Sequence, residues 1–551
     1  MSSVRLLSRG IAAGAIGAAA LTASVAFSMT SDAATGAGIS HATAAGVSTG
    51  TKTCQGDMGG IALPTGFCAS VFADNIGHAR QMVVAPDGTL YVNTWSGVYY
   101  ANNDLPKGGF IVMLKDTKGE GRADSIERFG ETQDNGGHGG TGIALYKNAL
   151  YVESNDRIMR YPLQDGKAVP EGQGDVIVSG LPTVGDHPMH PMTITPAGDL
   201  LVDLGSATNA CESQNRMPHS KGLMPCVEKG THAGVWRYDA NKTGQVFSSK
   251  ERYATGIRNG EGLAVDGQGR VFDTQHGRDQ LHEDWPELYT VQRGYDSPAE
   301  EVVQLKKGGD YGWPECYYDT TAKRLVLAPE FGGDGGKKVG LCAQRIAPVA
   351  VFPAHWAPND MKFYLATKGE GLFPKAYYDG AFIAFHGSWN RAPGPQGGYN
   401  VVFQPFKSGK PSGKYVIFAD GFAGTVKEPG RAAFRPSGLA VAPDGALFIS
   451  DDVHGRIWRV TYAGGNPNAP IAAAKMSGAS AGKSGPAVPP EGIHPDAGKS
   501  ASLPISPGSS PDQVALGSQI FRGNVAGATC GGCHSSDSGR VPDTLSAQST
   551  V

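Results

Sequence analysis

The chain has 551 residues, including 79 Gly and 36 Pro, with 40% hydrophobic and only 18% charged side chains. Gly therefore runs at roughly twice ordinary usage but without a G-X-Y period, which excludes a collagen-like chain, and the apolar share excludes wholesale disorder. With 48 basic and 51 acidic residues the net charge is -3, which argues against nucleic acid as the main partner, because phosphate binding needs a basic surface.

The first element is an export signal. Arg5 and Arg9 precede a small, apolar, uncharged run from Ile11 to Phe27. Ser24-Val25-Ala26 and Ser31-Asp32-Ala33 are both small-residue cleavage sites, so residues 1–33 read as a signal peptide. A membrane anchor is the alternative, but the run falls short of the roughly 20 apolar residues of a span. No later stretch is apolar enough to cross a bilayer. The mature chain is expected to be periplasmic or secreted. Cysteine usage agrees: Cys54 and Cys68, Cys211 and Cys226, and Cys316 and Cys342 form sequence-local pairs that an oxidising compartment would turn into disulfides. Connectivity stays open, since six cysteines allow 15 pairings.

A weak unit then recurs: apolar residues, a turn rich in Pro, Asp and Gly, and an alternating strand. It reads QMVVAPDGTLYVNT from Gln81, GIALYKNALYVES from Gly142, MTITPAGDLLVDLGS from Met192 and GLAVDGQGRVFDTQHG from Gly262. A looser copy, GAFIAFHGSWNR, begins at Gly380, and GLAVAPDGALFISDDVHGRIWRV begins at Gly438. Alternating strands bounded by such turns are β-hairpins. Six copies at long, regular spacing imply an all-β, six-bladed propeller over residues 50–463, with a solenoid as the structural alternative. GFCASVFADNI, ahead of the first copy, is placed to close the ring by joining the last blade. The long gap between the fourth and fifth copies must hold insertions.

After Tyr462 the composition changes. Residues 464–511 are rich in Pro, Ala, Gly and Ser with little bulky apolar content, which reads as a disordered linker. Residues 512–551 follow, with a helix-like QVALGSQIF and then Cys530-Gly531-Gly532-Cys533-His534. In a C-x-x-C-H motif two thiols add to haem vinyl groups and the histidine ligates the iron, so Cys530, Cys533 and His534 are read as a haem c attachment site. A fourth disulfide is the plainer reading. The segment resembles the first helix of a class I cytochrome c, but only 17 residues follow His534 and the last methionine is Met476, so the domain is partial.

The loops between blades should carry the chemistry, because a propeller gathers them at the mouth of its channel. Polar candidates are Asp186-His187-Pro188-Met189-His190, Arg258-Asn259, the stretch from Asp273 to Asp279, His386 to Arg391, and Arg435. G-x-R-N-x-x-G-L from Gly256, the Gln275-His276-Gly277 loop and G-G-x-Y-G-W-P from Gly308 resemble the quinoprotein glucose/sorbosone dehydrogenases, over roughly Gly66 to Tyr462. AFHGSWNR leans toward the sorbosone branch. That family consists of six-bladed propellers using pyrroloquinoline quinone (PQQ) and calcium.

The resemblance implies a PQQ- and Ca-dependent dehydrogenase oxidising an aldose, sorbosone or related sugar, with electrons passing to haem c or to an external cytochrome or quinone. PQQ carries three carboxylates, and guanidinium forks match carboxylates; Arg258, Arg391 and Arg435, with Asn259, are the implied cofactor contacts. The backbone carbonyls of Gly277 and Arg278 are the implied calcium ligands. A base must take the hydroxyl proton, and histidine suits that role near neutral pH. His187 has the implied spacing from Pro196, with His190 and His138 as competitors. A calcium lactonase-like hydrolase and a non-catalytic binding propeller are the rival readings. Arg431 and Arg456 are expected only to brace blades, Asp451-Asp452 to form a turn, and Tyr311-Gly312-Trp313-Pro314 to pack a corner.

Overall fold

The computed structural model describes residues 54, 58–95, 108–130, 139–388, 390–391, 394–428 and 430–475. The signal peptide, His138, most of the linker and the Cys530–His534 motif lie outside the described residues.

The described chain folds as a six-bladed propeller of four-stranded antiparallel sheets, with the short strand Gln245–Val246 added parallel to the outer edge of the second blade. Blade 1 comprises Ala79–Val84, Leu90–Thr94, Ile111–Lys115 and Ser125–Phe129; blade 2, Ile143–Tyr146, Ala149–Ser154, Arg157–Pro162 and Asp175–Ser179. Blade 3 comprises Met192–Ile194, Asp199–Leu204, Gly234–Asp239 and Arg252–Thr255; blade 4, Ala264–Val265, Val271–Gln275, Glu300–Gln304 and Ala350–Phe352. Blade 5 comprises Pro358–Phe363, Ala381–Phe385, Asn400–Gln404 and Val416–Ala419. Blade 6 takes Pro436–Val441, Leu447–Asp451 and Ile457–Tyr462 from the end of the ring and Phe67–Ala73 from its start. Phe67 pairs with Tyr462 and Ser70 with Arg459, so the expected closure strand seals the ring.

Local chemistry sets the hairpins. In blade 1 the turn is Pro86-Asp87-Gly88: Gly88 takes a positive φ of 84°, and Asp87 accepts from the Thr89 amide at 3.1 Å and its hydroxyl at 2.9 Å. Each sequence copy supplies the first two strands of one blade, except the fifth. There the repeat from Gly380 is the second strand, and the first is Pro358–Phe363, whose Asn359 and Asp360 break the apolar alternation.

Blades pack face to face, and each interface holds its own apolar cluster. Phe72 and Phe448 meet Met82 and Leu90 between blades 6 and 1. Phe382, Phe403 and Phe418 meet Trp458 and Phe67 between blades 5 and 6. Second strands lie inside this stacking and are almost wholly buried. The three local cysteine pairs form disulfides, Cys54–Cys68, Cys211–Cys226 and Cys316–Cys342. The last clips the insertion between the third and fourth strands of blade 4, which carries the hairpin Cys316–Asp319 and Arg324–Leu327. Residues 464–475 run along the propeller: the Ala472 amide donates to the Tyr377 hydroxyl at 3.1 Å and the Ala474 amide to the Ile417 carbonyl at 2.8 Å. Among the described residues, no helix is long and apolar enough to cross a membrane.

Candidate active site at the mouth of the channel

In an antiparallel blade, the loop entering the first strand and the loop leaving the second lie at the same end. That end of the ring holds a cavity of about 900 Å³ including its open mouth. Its wall is drawn from those loops around the ring: Arg80 and Trp95 of blade 1, Asp186 and His187 entering blade 3, Arg258, Asn259 and Glu261 entering blade 4, and Arg435 entering blade 6. Loops leaving second strands add Arg216, His276, Gly277, Asp279, His386 and Asn390.

His187 is buried, and its Nδ1 lies 2.8 Å from the Ser206 carbonyl oxygen. A carbonyl only accepts, so Nδ1 carries the hydrogen and Nε2 keeps the lone pair. Burial first, then the positive Arg258, hold His187 well below the usual histidine range. The ring is therefore neutral and presents an acceptor. His190 differs. Its Nε2 bonds the Pro182 carbonyl at 2.7 Å and its Nδ1 faces Glu153 at 3.1 Å, and it does not line the cavity. Both nitrogens serve the wall of blade 2.

Arg258 is fixed on every side. It donates from Nε to the Asn209 carbonyl at 3.1 Å, from Nη1 to the Gly277 carbonyl at 3.0 Å, and from Nη2 to Asn209 Oδ1 at 3.0 Å and Asp279 Oδ2 at 2.9 Å. Arg435 donates to the carbonyls of His386 and Gly387 at 3.1 and 3.0 Å and lies over the Tyr399 ring. Arg258, Asn259, Arg435 and Gly277 thus meet in one cavity with His187. Arg391 is not in that wall. It donates to the carbonyls of Tyr295, Ala354 and Pro395 and to Asp296 Oδ1, stacking on Tyr295. The side chain of Arg278 turns away from the cavity into a buried cluster with Asp284 and Glu330.

Two cations that sequence reasoning did not single out join the wall. Arg80 donates to Asp452 Oδ2 at 2.8 Å and reaches Glu261 Oε2 at 3.3 Å. Arg216 comes from the disulfide-clipped loop of blade 3 and donates to Asp186 Oδ2 at 2.9 Å and Asp279 Oδ2 at 3.1 Å. Asp452 also bonds His386 Nε2 at 2.8 Å, so it is an ion-pair hub, while Asp451 makes the expected turn by accepting the amides of Arg435 and His454. Trp313 packs the expected corner, its Nε1 donating to the Asn209 carbonyl at 3.0 Å. Arg456 braces Asp74 and Arg431 pairs with Glu428.

Oxygen donors lie beside these cations. Glu300 accepts the Gly277 amide at 2.8 Å and the Ala357 amide at 3.0 Å, and burial pushes its carboxyl up to about 8. Burial outweighs Arg80 at Glu261 and raises it to about 7. Asp279 goes the other way: burial opposes its charge, but Arg258 and Arg216 prevail and hold it far below the usual carboxylate range. The cavity thus offers converging guanidinium groups for a polyanion, hard oxygens and no thiolate for a cation such as calcium, and neutral imidazoles, among them His187 with Nδ1 committed and Nε2 left as a proton acceptor.

Comparison with known proteins follows the same fold. A model of the TrAA12-like family matches residues 61–463. A pyrroloquinoline quinone-dependent pyranose dehydrogenase of Coprinopsis cinerea is 27% identical over 241 residues, covering 37% of this chain and 30% of that protein. The chain thus spans under a third of the length of that relative. An uncharacterized protein of Borreliella burgdorferi is 32% identical over 415 residues, covering 73% of this chain and 91% of that one. Among solved structures, that of the Trichoderma reesei Carbohydrate-Active Enzymes Family AA12 protein covers 75% of this chain and 100% of its own at 19% identity, with a TM-score of 0.58. The holo form of the pyranose dehydrogenase PQQ domain from Coprinopsis cinerea covers 73% of this chain and 97% of its own at 20% identity, with a TM-score of 0.53. At such identities the two structures speak to the fold alone.

Proposed function

The chain belongs to the TrAA12-like family, and from that premise we propose that it is a PQQ- and calcium-dependent dehydrogenase acting on an aldose, sorbosone or a related sugar. One observation carries this reading: a single cavity brings Arg80, Arg216, Arg258 and Arg435 together with a neutral His187. The residues fit the cofactor. Guanidinium groups on several blades match a small molecule with three carboxylates, Asn259 adds an amide, and the carbonyls of Gly277 and Arg278 would hold calcium, the first on exchanging its bond from Arg258 for the ion. When bound, PQQ with its calcium supplies a two-electron acceptor for hydride.

The chain's own part is proton handling and orientation. The Ser206 carbonyl fixes the tautomer of His187, so Nε2 takes the proton of the hydroxyl group whose carbon loses hydride. Burial and Arg258 keep the imidazole uncharged before the sugar arrives. Asp279 balances Arg258 and Arg216, which fixes both guanidinium groups before any ligand enters. Reoxidation needs an electron acceptor, either haem c on the Cys530–His534 segment or an external cytochrome or quinone. Three disulfides support an exported, periplasmic or secreted location.

The test is purification of the full chain, addition of PQQ and calcium chloride, and a dye-linked assay over aldoses and sorbosone. Stoichiometric uptake of the PQQ chromophore and turnover abolished by EDTA are expected. A chain that binds no PQQ overturns the reading, and a lactonase or binding module would give no such chromophore.

A further inference from the structure

Directly under the cavity floor lies a pair of acids that the proposed chemistry does not use. Asn259 and Glu261 both line the cavity, and Gly260 between them faces inward. Beneath it, Asp203 from the second strand of blade 3 meets Asp273 from the second strand of blade 4. Both are 0% exposed. A Cβ on Gly260 would collide with Asp273 Oδ2 and Asp203 Oδ2 together, so glycine is what leaves room above the two carboxyl groups.

The pair is short of partners. Asp203 Oδ1 accepts the Gly260 amide at 3.2 Å. The two carboxyl groups lie within hydrogen-bond reach of each other and the Thr274 amide lies toward Asp273, but Asp203 Oδ2 and both oxygens of Asp273 have no well-aligned donor among the described residues. No Lys, Arg or His pairs with either one among the described residues, whereas in the wall above Asp279 holds two arginines and Asp452 holds Arg80 and the His386 imidazole. Unpaired buried carboxyl oxygens are rare and costly. Protons alone do not satisfy this set. One shared proton joins the pair through a single O–H···O bond but leaves a full negative charge buried with no cationic partner among the described residues. One cation answers all three oxygens and the charge at once.

We propose that Asp203 and Asp273 bind a divalent cation of the calcium type, at a site separate from the cofactor cavity and one layer beneath its floor. Carboxylate oxygens are hard ligands, they supply two negative charges, and they contain no sulfur or imidazole that would favour a transition metal. Buried water would complete the shell. The ion would tie blade 3 to blade 4 at the residue joining Asn259 to Glu261, and so hold the floor on which Arg258 stands. Without a cation, burial and mutual repulsion push both carboxyl groups well above the usual range, a condition a bound divalent ion would reverse.

The test uses the full chain without PQQ, stripped with EGTA and titrated with calcium chloride, reading calcium content by elemental analysis and the thermal midpoint. Wild type is expected to retain one more equivalent of calcium than Asp203→Asn/Asp273→Asn, and the variant to lose at least half of the calcium-induced rise in midpoint. Should the double variant fail to fold, Asp273→Asn alone and an anomalous-scattering map of calcium-soaked wild-type crystals replace it. Density between the two carboxyl groups supports the site. Equal calcium content in wild type and variant, or a map with calcium elsewhere only, overturns it. Because PQQ is absent, the result is independent of whether the chain is a sugar dehydrogenase.

Discussion

The two walls of the cavity are built from similar parts to different ends. On the wall of blades 3 and 4, Arg258 and Arg216 converge on one oxygen of Asp279, and the neighbouring His187 has the carbonyl and hydroxyl oxygens of Ser206 behind its Nδ1. On the wall of blades 6 and 1, Asp452 spans His386 and Arg80, so its histidine is bonded to a carboxylate. The first arrangement holds its histidine by a neutral partner through Nδ1; the second holds its histidine by a carboxylate through Nε2.

The comparison breaks most decisively at the histidines. His187→Ala is expected to lower kcat at least about a hundredfold, the low end of general-base contributions, while PQQ absorbance persists. His386→Ala should mainly weaken cofactor retention and stability. Steady-state kinetics with spectra decide it, and a larger kcat loss in His386→Ala would move the base to the opposite wall.

Next in size is the loss of counter-charge. Asp279→Asn and Asp452→Asn each strand buried cations, at a cost of about 3–5 kcal/mol in denaturant unfolding. They should differ in pH behaviour. Asp279 helps His187 hold a proton, so its removal shifts the acid limb of kcat/KM to lower pH, and Asp452→Asn leaves that limb in place.

The smallest effect concerns pH and stability. Burial, opposed by the Gln275 amide, raises Glu301 to about 8. Its folded pKa lies above its unfolded value, so its contribution is intact below about pH 4 and is lost as pH climbs through about 8. His276, lowered by burial to about 3, acts in the opposite sense and costs stability as pH falls below the ordinary histidine value. The thermal midpoint should therefore decline between pH 6 and pH 9, and Glu301→Gln, which keeps a partner for Gln275, should flatten that decline by a few degrees.

Legibility followed burial. Second strands are stacked on both faces, so LYVNT, ALYVES and LFISD stand out as apolar blocks after turn residues. Outer strands such as Ser125–Phe129 are half exposed and blend with loops. Of the cavity wall, His187, Arg258, Asn259, Gly277 and Arg435 were reachable through motifs that a family resemblance could decode. Arg80 and Arg216 were not, because a single arginine before a strand, or inside an insertion, gains meaning only from the carboxylates that come to meet it. Asp203 was quoted only within a repeat, and Asp273 opened a stretch read as a polar loop although it lies inside the strand Val271–Gln275; their matching places in the second strands of adjacent blades were the available signal.

The pairing of Phe67–Ala73 with Ile457–Tyr462 sets an order of events. The earliest blade strand to leave the ribosome must wait for the last blade strand, so the finished channel cannot exist until Ile457–Tyr462 has emerged. Assembly of the polyanion pocket is then a final act. It follows that deleting either closing strand, Phe67–Ala73 or Ile457–Tyr462, should abolish the pocket as a whole and not merely trim the side that lost residues.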